Sequence, residues 1–261
     1  MSSLRSGVVA AGAVLLMLAT ASSAQAITWA EQGDAGQDPS TTGAQAAQAT
    51  QGVGELTSIS GLIDGPATSP DAPTYGNEVD TYAIYLTAGT SFTADVTFTT
   101  NNNGDDTALY LFDSSGIGQV WNDNISNTPQ NSLSAINNFS VKQSGTYYLA
   151  IEGVSSSGNF VPLDASGNPL FLSADPSTSG PVTGTSPAQT TNPFARWGVD
   201  PAFDFSGTGV PNPGTVVFNY TVTLQGAQAV PEPAVGGGLL AIGALGFLAA
   251  RKGKAKVKQA G

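Results

Sequence analysis

A chain of 261 residues has the length for one sizeable domain or two small ones. Its net charge of −11 hides a sharper asymmetry: residues 27–230 hold 18 of the 19 acids but only Lys142 and Arg196 as bases, a surface that repels phosphate backbones and excludes nucleic acid as a partner. With no Cys and no His, disulfides, thiolate metal sites, His-ligated zinc and every imidazole-based triad are excluded too.

Residues 1–26 predict a secretory signal peptide. Arg5 supplies the positive start, Val8 to Leu18 the apolar core, and Ala24-Gln25-Ala26 a small-x-small site for signal peptidase, so the mature chain is expected to begin at Ile27. The apolar run is shorter than the ~20 residues a spanning helix needs. Residues 31–53 are rich in Gly, Gln, Ala, Ser and Thr, with Asp34 and Asp38, and their composition predicts a linker.

Strand patterns come next. Leu62 and Ile63 precede an Asp64-Gly65-Pro66 turn. Glu78 to Leu86 (EVDTYAIYL) sets Tyr82, Ile84 and Leu86 on one face. Past the turn at Ala88-Gly89-Thr90, Phe92, Ala94, Val96 and Phe98 alternate with Ser91, Thr93, Asp95 and Thr97. The two runs predict a hairpin with one wet face. Thr107 to Phe112 (TALYLF) reads as another strand, closed by a type I turn at Asp113-Ser114-Ser115-Gly116. Val120-Trp121 and Phe139 to Val141 are short, and Thr146 to Glu152 (TYYLAIE) shares Tyr147, Leu149 and Ile151 on one face. Residues 153–213 show little periodicity and are expected as long surface loops, with a short strand at Leu170 to Leu172. Val216, Phe218, Tyr220, Val222 and Leu224 form the clearest alternation and predict a closing strand. Many short strands and no helical period between residues 27 and 230 predict an all-β sandwich, with one domain over residues 27–227.

The C-terminus is tripartite. Val230-Pro231-Glu232-Pro233 leads into an uncharged run, Ala234 to Ala250, and then a basic end with Arg251, Lys252, Lys254, Lys256 and Lys258. As a single helix the run rises about 25 Å at ~1.5 Å per residue, a little short of the ~30 Å hydrocarbon core. The basic end would stay cytoplasmic and leave the domain outside. A short, glycine-rich span suits a temporary stop in the inner membrane better than a permanent anchor.

Two resemblances rest on these residues. The blocks Glu78 to Leu86, Asp106 with Leu109 to Asp113 and Gly116, and Ser144 to Ile151 recur in the order of the bacterial pre-peptidase C-terminal domain, which this chain resembles over about residues 40–155, with the strand at 216–224 as its last. That resemblance implies a jelly-roll-type β-sandwich without catalytic activity, of a kind that in some members binds calcium or polymeric substrates. The long stretch between Glu152 and Val216 departs from the pattern. The tail at 230–258, with its motif Pro231-Glu232-Pro233, resembles the PEP-CTERM sorting signal. It implies cleavage by an exosortase-type enzyme and delivery to the cell surface or extracellular matrix of a Gram-negative-type bacterium that makes exopolysaccharide.

Carboxylates are the only candidate chemistry. Asp80, Asp105, Asp106 and Asp123 lie at strand ends or loops beside Asn101, Asn103, Asn122 and Asn124, an oxygen-rich set suited to calcium; the competing reading is that Asp and Asn simply favour turns. An EF-hand-like start at Asn101-x-Asn103-x-Asp105 fails at Asp106 and Phe112, where that loop needs Gly and Glu. Trp197, in a Gly- and Pro-rich stretch, is the candidate exposed platform for a sugar ring. The functional expectation is a non-catalytic, exported structural or adhesive protein. The alternatives are an exopolysaccharide-binding module using Trp197 and, third, a carboxylate-based glycan hydrolase.

Overall fold

The computed structural model describes residues 25–64, 79–99, 106–123, 133–154, 160–171, 186–199 and 217–231. Every regular element among them is a strand: β1 (Ile27–Ala30), β2 (Gln48–Ala49), β3 (Glu55–Ile63), β4 (Val79–Leu86), β5 (Ser91–Thr99), β6 (Asp106–Asp113), β7 (Gly118–Asn122), β8 (Ala135–Ser140), β9 (Gly145–Val154), β10 (Phe160–Leu163), β11 (Ser186–Pro187), β12 (Arg196–Val199) and β13 (Phe218–Gln228). The signal peptide up to Ala24 and the tail from Glu232 onward, including the apolar run, lie outside the described residues. Among the described residues no helix is long and apolar enough to cross a membrane.

The strands form two halves of one mixed sheet. In the first, β13 lies antiparallel between β3 and β5. β1 adds in parallel to β3, and β8 pairs antiparallel with β5. In the second, β4, β9, β6, β7 and β11 pair antiparallel in that order, with β2 parallel to β4. The end of β13 stitches the halves together, because Ala227 and Gln228 pair with Leu86 and Tyr85 of β4. A bulge just before this junction makes the change of partner possible. Gly226 sits there at φ 77°, where a side chain would run into the Ser91 carbonyl.

Period-two patterning decides what is buried. Leu56, Ile59 and Ile63 of β3, Tyr82, Ile84 and Leu86 of β4, Phe92, Ala94 and Val96 of β5, Leu149 and Ile151 of β9, and Tyr220, Val222 and Leu224 of β13 meet in one core between the halves. β4 is buried on both faces. Its other row, Val79 and Ala83, joins Ala108, Tyr110 and Phe112 of β6, Trp121 and Tyr148 in a second apolar cluster on the outer face of the second half. That outer face is covered by Leu170, Phe171 and Trp197, so the described parts of the stretch between β9 and β13 make a third layer. Its described parts pair as β10–β12 and attach β11 to β7.

Three expectations are corrected. The two runs expected to pair as a hairpin, β4 and β5, are neighbours in sequence but lie in different halves: β4 pairs with β9, and β5 with β13 and β8. The turn at 88–90 crosses between the halves and is tied to Val141, whose carbonyl accepts from Gly89 N and whose amide donates to Thr90 O. The stretch expected as a linker is packed structure, with β2 on β4 and Ala35 and Thr50 buried. Finally, Leu170 and Phe171 are no strand but two buried anchors beside isolated bridges, Leu163 to Pro169 and Phe171 to Ala188.

Candidate metal centre

Asp80 continues the inward row of β4. Residues 80, 82, 84 and 86 share a face, so the register that drives Tyr82, Ile84 and Leu86 into the core takes a carboxylate with them. Asp80 is 0% exposed. Its Oδ2 accepts a hydrogen bond from Tyr220 Oη on β13 at 2.7 Å, and Tyr82 and Tyr220 share a hydroxyl–hydroxyl bond of 2.6 Å. Its Oδ1 has no hydrogen-bond partner. Gly61 of β3 makes room for the pair of hydroxyls: a Cβ there would lie 2.7 Å from Tyr82 Oη and closer still to Tyr220 Oη.

Two more carboxylates converge on Asp80 from the N-terminal segment. One oxygen from each of Glu31, Asp34 and Asp80 lies within 4.8 Å of the other two. Glu31 is held in place by the backbone: Oε1 accepts from Ala35 N at 2.7 Å and Oε2 from Leu62 N at 2.8 Å. Asp34 is exposed. A shallow groove lined by Glu31, Gly61, Leu62, Asn219 and Tyr220 opens beside the cluster.

The electrostatics are those of crowded, buried carboxyls. Burial, then the Glu31 charge, pushes the Asp80 carboxyl up to about 9. Burial also raises Glu31, against the lowering effect of the two amide hydrogens it accepts. Tyr82 and Tyr220 are raised, first by burial and then by Asp80. A buried carboxylate oxygen with no donor is costly unless something positive meets it. Calcium–oxygen distances of about 2.4 Å put ligand oxygens roughly 3.4 to 4.8 Å apart around one ion, which the spacing here satisfies. Glu31, Asp34 and Asp80 therefore fit calcium as a donor set, with hard oxygen ligands and a charge that the ion would largely neutralise.

The candidate aspartates named from sequence do not form one site. Asp105 lies outside the described residues. Asp106 sits on β6, two strands from Asp80 and three positions out of its register through Ile151, about 14 Å away at ~4.8 Å per strand and ~3.3 Å per residue. Asp106 and Asp123 are neighbours of each other. Burial first, and Asp123 second, push Asp106 up to about 7, and its Oδ1 is buried without a hydrogen bond. Asp113 acts as a turn residue: Oδ1 accepts from Ser115 N and Ile117 N.

Trp197 is corrected as an exposed platform. It is 4% exposed, its Nε1–H donates to the Gln37 carbonyl at 2.8 Å, and its ring meets Tyr110 edge-on with centroids 5.4 Å apart. The segment read as a linker is what covers it. Sequence reasoning missed Glu31 and Asp34 for the same reason. The available signal was an acid pair three residues apart in a stretch otherwise poor in charge, just after the four residues of β1.

No curated protein and no solved structure matches the chain. A bacterial pre-peptidase C-terminal domain is found at residues 78–153, the span that runs from β4 into β9 and contains Asp80 but neither Glu31 nor Asp34.

Proposed function

We propose that this chain is a non-catalytic, exported domain of structural or adhesive role at the cell surface or in the extracellular matrix, with a jelly-roll-type sandwich stabilised by calcium at Glu31, Asp34 and Asp80. The observation that carries this reading is the convergence of three carboxylates on Asp80, a fully buried residue whose Oδ1 has no hydrogen bond. The groups of this site join β1, β3, β4 and β13 to one another, so its chemistry serves the framework. The test is calorimetric melting in calcium against chelator. At calcium a hundredfold above Kd the native state gains about 2.7 kcal/mol, or a rise of about 5–10 °C for a domain of this size. Identical melting would overturn the calcium reading. Glu31 and Asp80 are also close enough for a retaining glycosidase, although burial raises both of them. But a sugar must touch the acid, Asp80 has no exposed surface, and the groove takes in only Glu31 of the three.

The destination rests on the two ends of the sequence. Signal peptidase acts after Ala26, and an exosortase-type enzyme acts at Pro231-Glu232-Pro233 after a transient stop in the inner membrane. Intact mass of surface-extracted protein is expected to match a chain that begins at Ile27 and ends near residue 233. A mass that still includes Gly261 would refute the sorting. The exopolysaccharide-binding alternative draws no support from Trp197, which presents no face to solvent.

A further inference from the structure

We propose that the cation held by Glu31, Asp34 and Asp80 is a clasp that closes two layers at once, seating residues 31–38 on β4 and, through that segment, fixing Trp197 and the β10–β12 layer over the outer face of the sheet. The inference rests on the calcium reading and adds a regulatory consequence, that occupancy of the site controls how firmly the third layer is attached.

The physical path is short and continuous. Glu31 and Asp34 stand at the start of the segment, and Asp80 stands on β4. Two residues beyond Asp34, the Gly36 carbonyl accepts from Thr81 N at 2.9 Å. The next carbonyl, of Gln37, accepts from two sides: Thr81 Oγ1 at 2.7 Å and Trp197 Nε1 at 2.8 Å. One backbone oxygen thus joins the N-terminal segment, the strand that carries Asp80 and the indole that anchors the third layer. Ala35, between the ligands and this junction, is buried in the main core, so a shift of the segment at Asp34 also moves Gly36 and Gln37. Trp197 in turn packs against Tyr110, Phe112 and Phe194, and β12 carries it in antiparallel register with β10, where Trp197 faces Pro162.

Without a cation, the Glu31 and Asp34 charges crowd each other and the buried Asp80 carboxyl, and the segment is the part that can give way, because Asp80 belongs to a strand paired along its length with β9. With the cation, the repulsion becomes a three-point attachment, and the Gln37 carbonyl is presented to Trp197.

The test is hydrogen exchange read by mass spectrometry on the full-length chain, with calcium or with chelator, alongside calorimetric titration with calcium. Calcium is expected to slow exchange tenfold or more both in residues 31–38 and in residues 194–199. Asp34→Asn, at an exposed position that leaves the core intact, is expected to abolish both effects. Trp197→Phe keeps a ring in the aromatic cluster but removes the N–H, and is expected to keep the calcium effect at 31–38 while losing it at 194–199. No heat of calcium binding would overturn the calcium reading itself. Binding with protection confined to residues 31–38 in the unsubstituted chain would leave that reading standing and overturn the clasp.

Discussion

Gly61→Ala isolates the packing that holds Asp80 in place. Gly61 lies inside β3 opposite Tyr220 in the ladder. Its backbone is not left-handed, so alanine meets no conformational strain, and a strand interior favours Ala over Gly by about 0.5–1 kcal/mol. The space is the obstacle. The new methyl would lie 2.7 Å from Tyr82 Oη and nearer to Tyr220 Oη, where ordinary contact begins at about 3.5 Å. Tyr82 and Tyr220 are fully buried and cannot swing aside into solvent. Overpacking of this kind costs about 1–3 kcal/mol. Displacing Tyr220 also breaks its bond to Asp80 and strands a buried donor, at about 1–3 kcal/mol. Net of the backbone gain, Gly61→Ala is expected to destabilise by about 1–5 kcal/mol in urea unfolding at neutral pH. The second arm is Tyr220→Phe, which removes the atom nearest the methyl, while Tyr220 Cζ at 2.6 Å and Tyr82 Oη at 2.7 Å remain. In that background Gly61→Ala is expected to cost at least about 1 kcal/mol less, a coupling well above the ~0.5 kcal/mol expected of independent sites. Additive effects, or a neutral Gly61→Ala, would refute the claim that the glycine exists to admit the two hydroxyls.

Two further perturbations test two other acids with shifted carboxyls. Asp106 is raised from its ordinary 3.8 to about 7, so between those values the folded state keeps a proton that the unfolded state has lost; the stability this confers is complete below about pH 4 and declines as pH rises to 7, by at most about 4 kcal/mol at ~1.36 kcal/mol per unit. Asp123→Asn removes the neighbouring charge and is expected to flatten that decline in urea midpoints measured from pH 4.5 to 8, whereas parallel curves for the two proteins would show that Asp123 does not act on Asp106. Asp164 runs the other way: Oδ1 accepts from Ser166 N and Asn168 N, Oδ2 accepts from Asn192 Nδ2, and these bonds lower its carboxyl to about 2. The turn after β10 is therefore expected to hold at any pH above about 4 and to loosen as pH falls through 2. Asp164→Ala should speed hydrogen exchange at residues 164–168 at neutral pH while leaving β4 unchanged, and unchanged exchange at 164–168 would refute the role.

The strands were legible where alternation was clean. The turn signals around EVDTYAIYL and TALYLF placed β4 and β6 to within a residue, and the alternation at Phe218, Tyr220, Val222 and Leu224 found β13. Partner choice was not legible. A two-sided strand such as β4 carries no mark of which neighbour it takes, and the 88–90 turn looks the same whether it closes a hairpin or crosses between halves. The segment at 31–53 was misread because its contacts are made by backbone. Gly36, Gln37 and Thr50 take part mostly through carbonyls and amides, which every residue has, so composition cannot report them. Trp197 was misread for the same reason, since what hides it is a carbonyl of that segment and the aromatics of β6 together with Phe194.

The candidate site has a divided origin, and this bears on how it works. Asp80 belongs to the span that matches the pre-peptidase C-terminal domain, while Glu31 and Asp34 lie well before it. The matched strands alone would leave a buried carboxylate at the end of a core row with one hydrogen bond and one orphaned oxygen. That arrangement costs stability until the N-terminal segment folds over it, and the segment brings two more negative charges to do so. A cation would resolve the conflict, since the Tyr220 hydroxyl already serves Asp80 Oδ2 and the amides of Ala35 and Leu62 already serve Glu31.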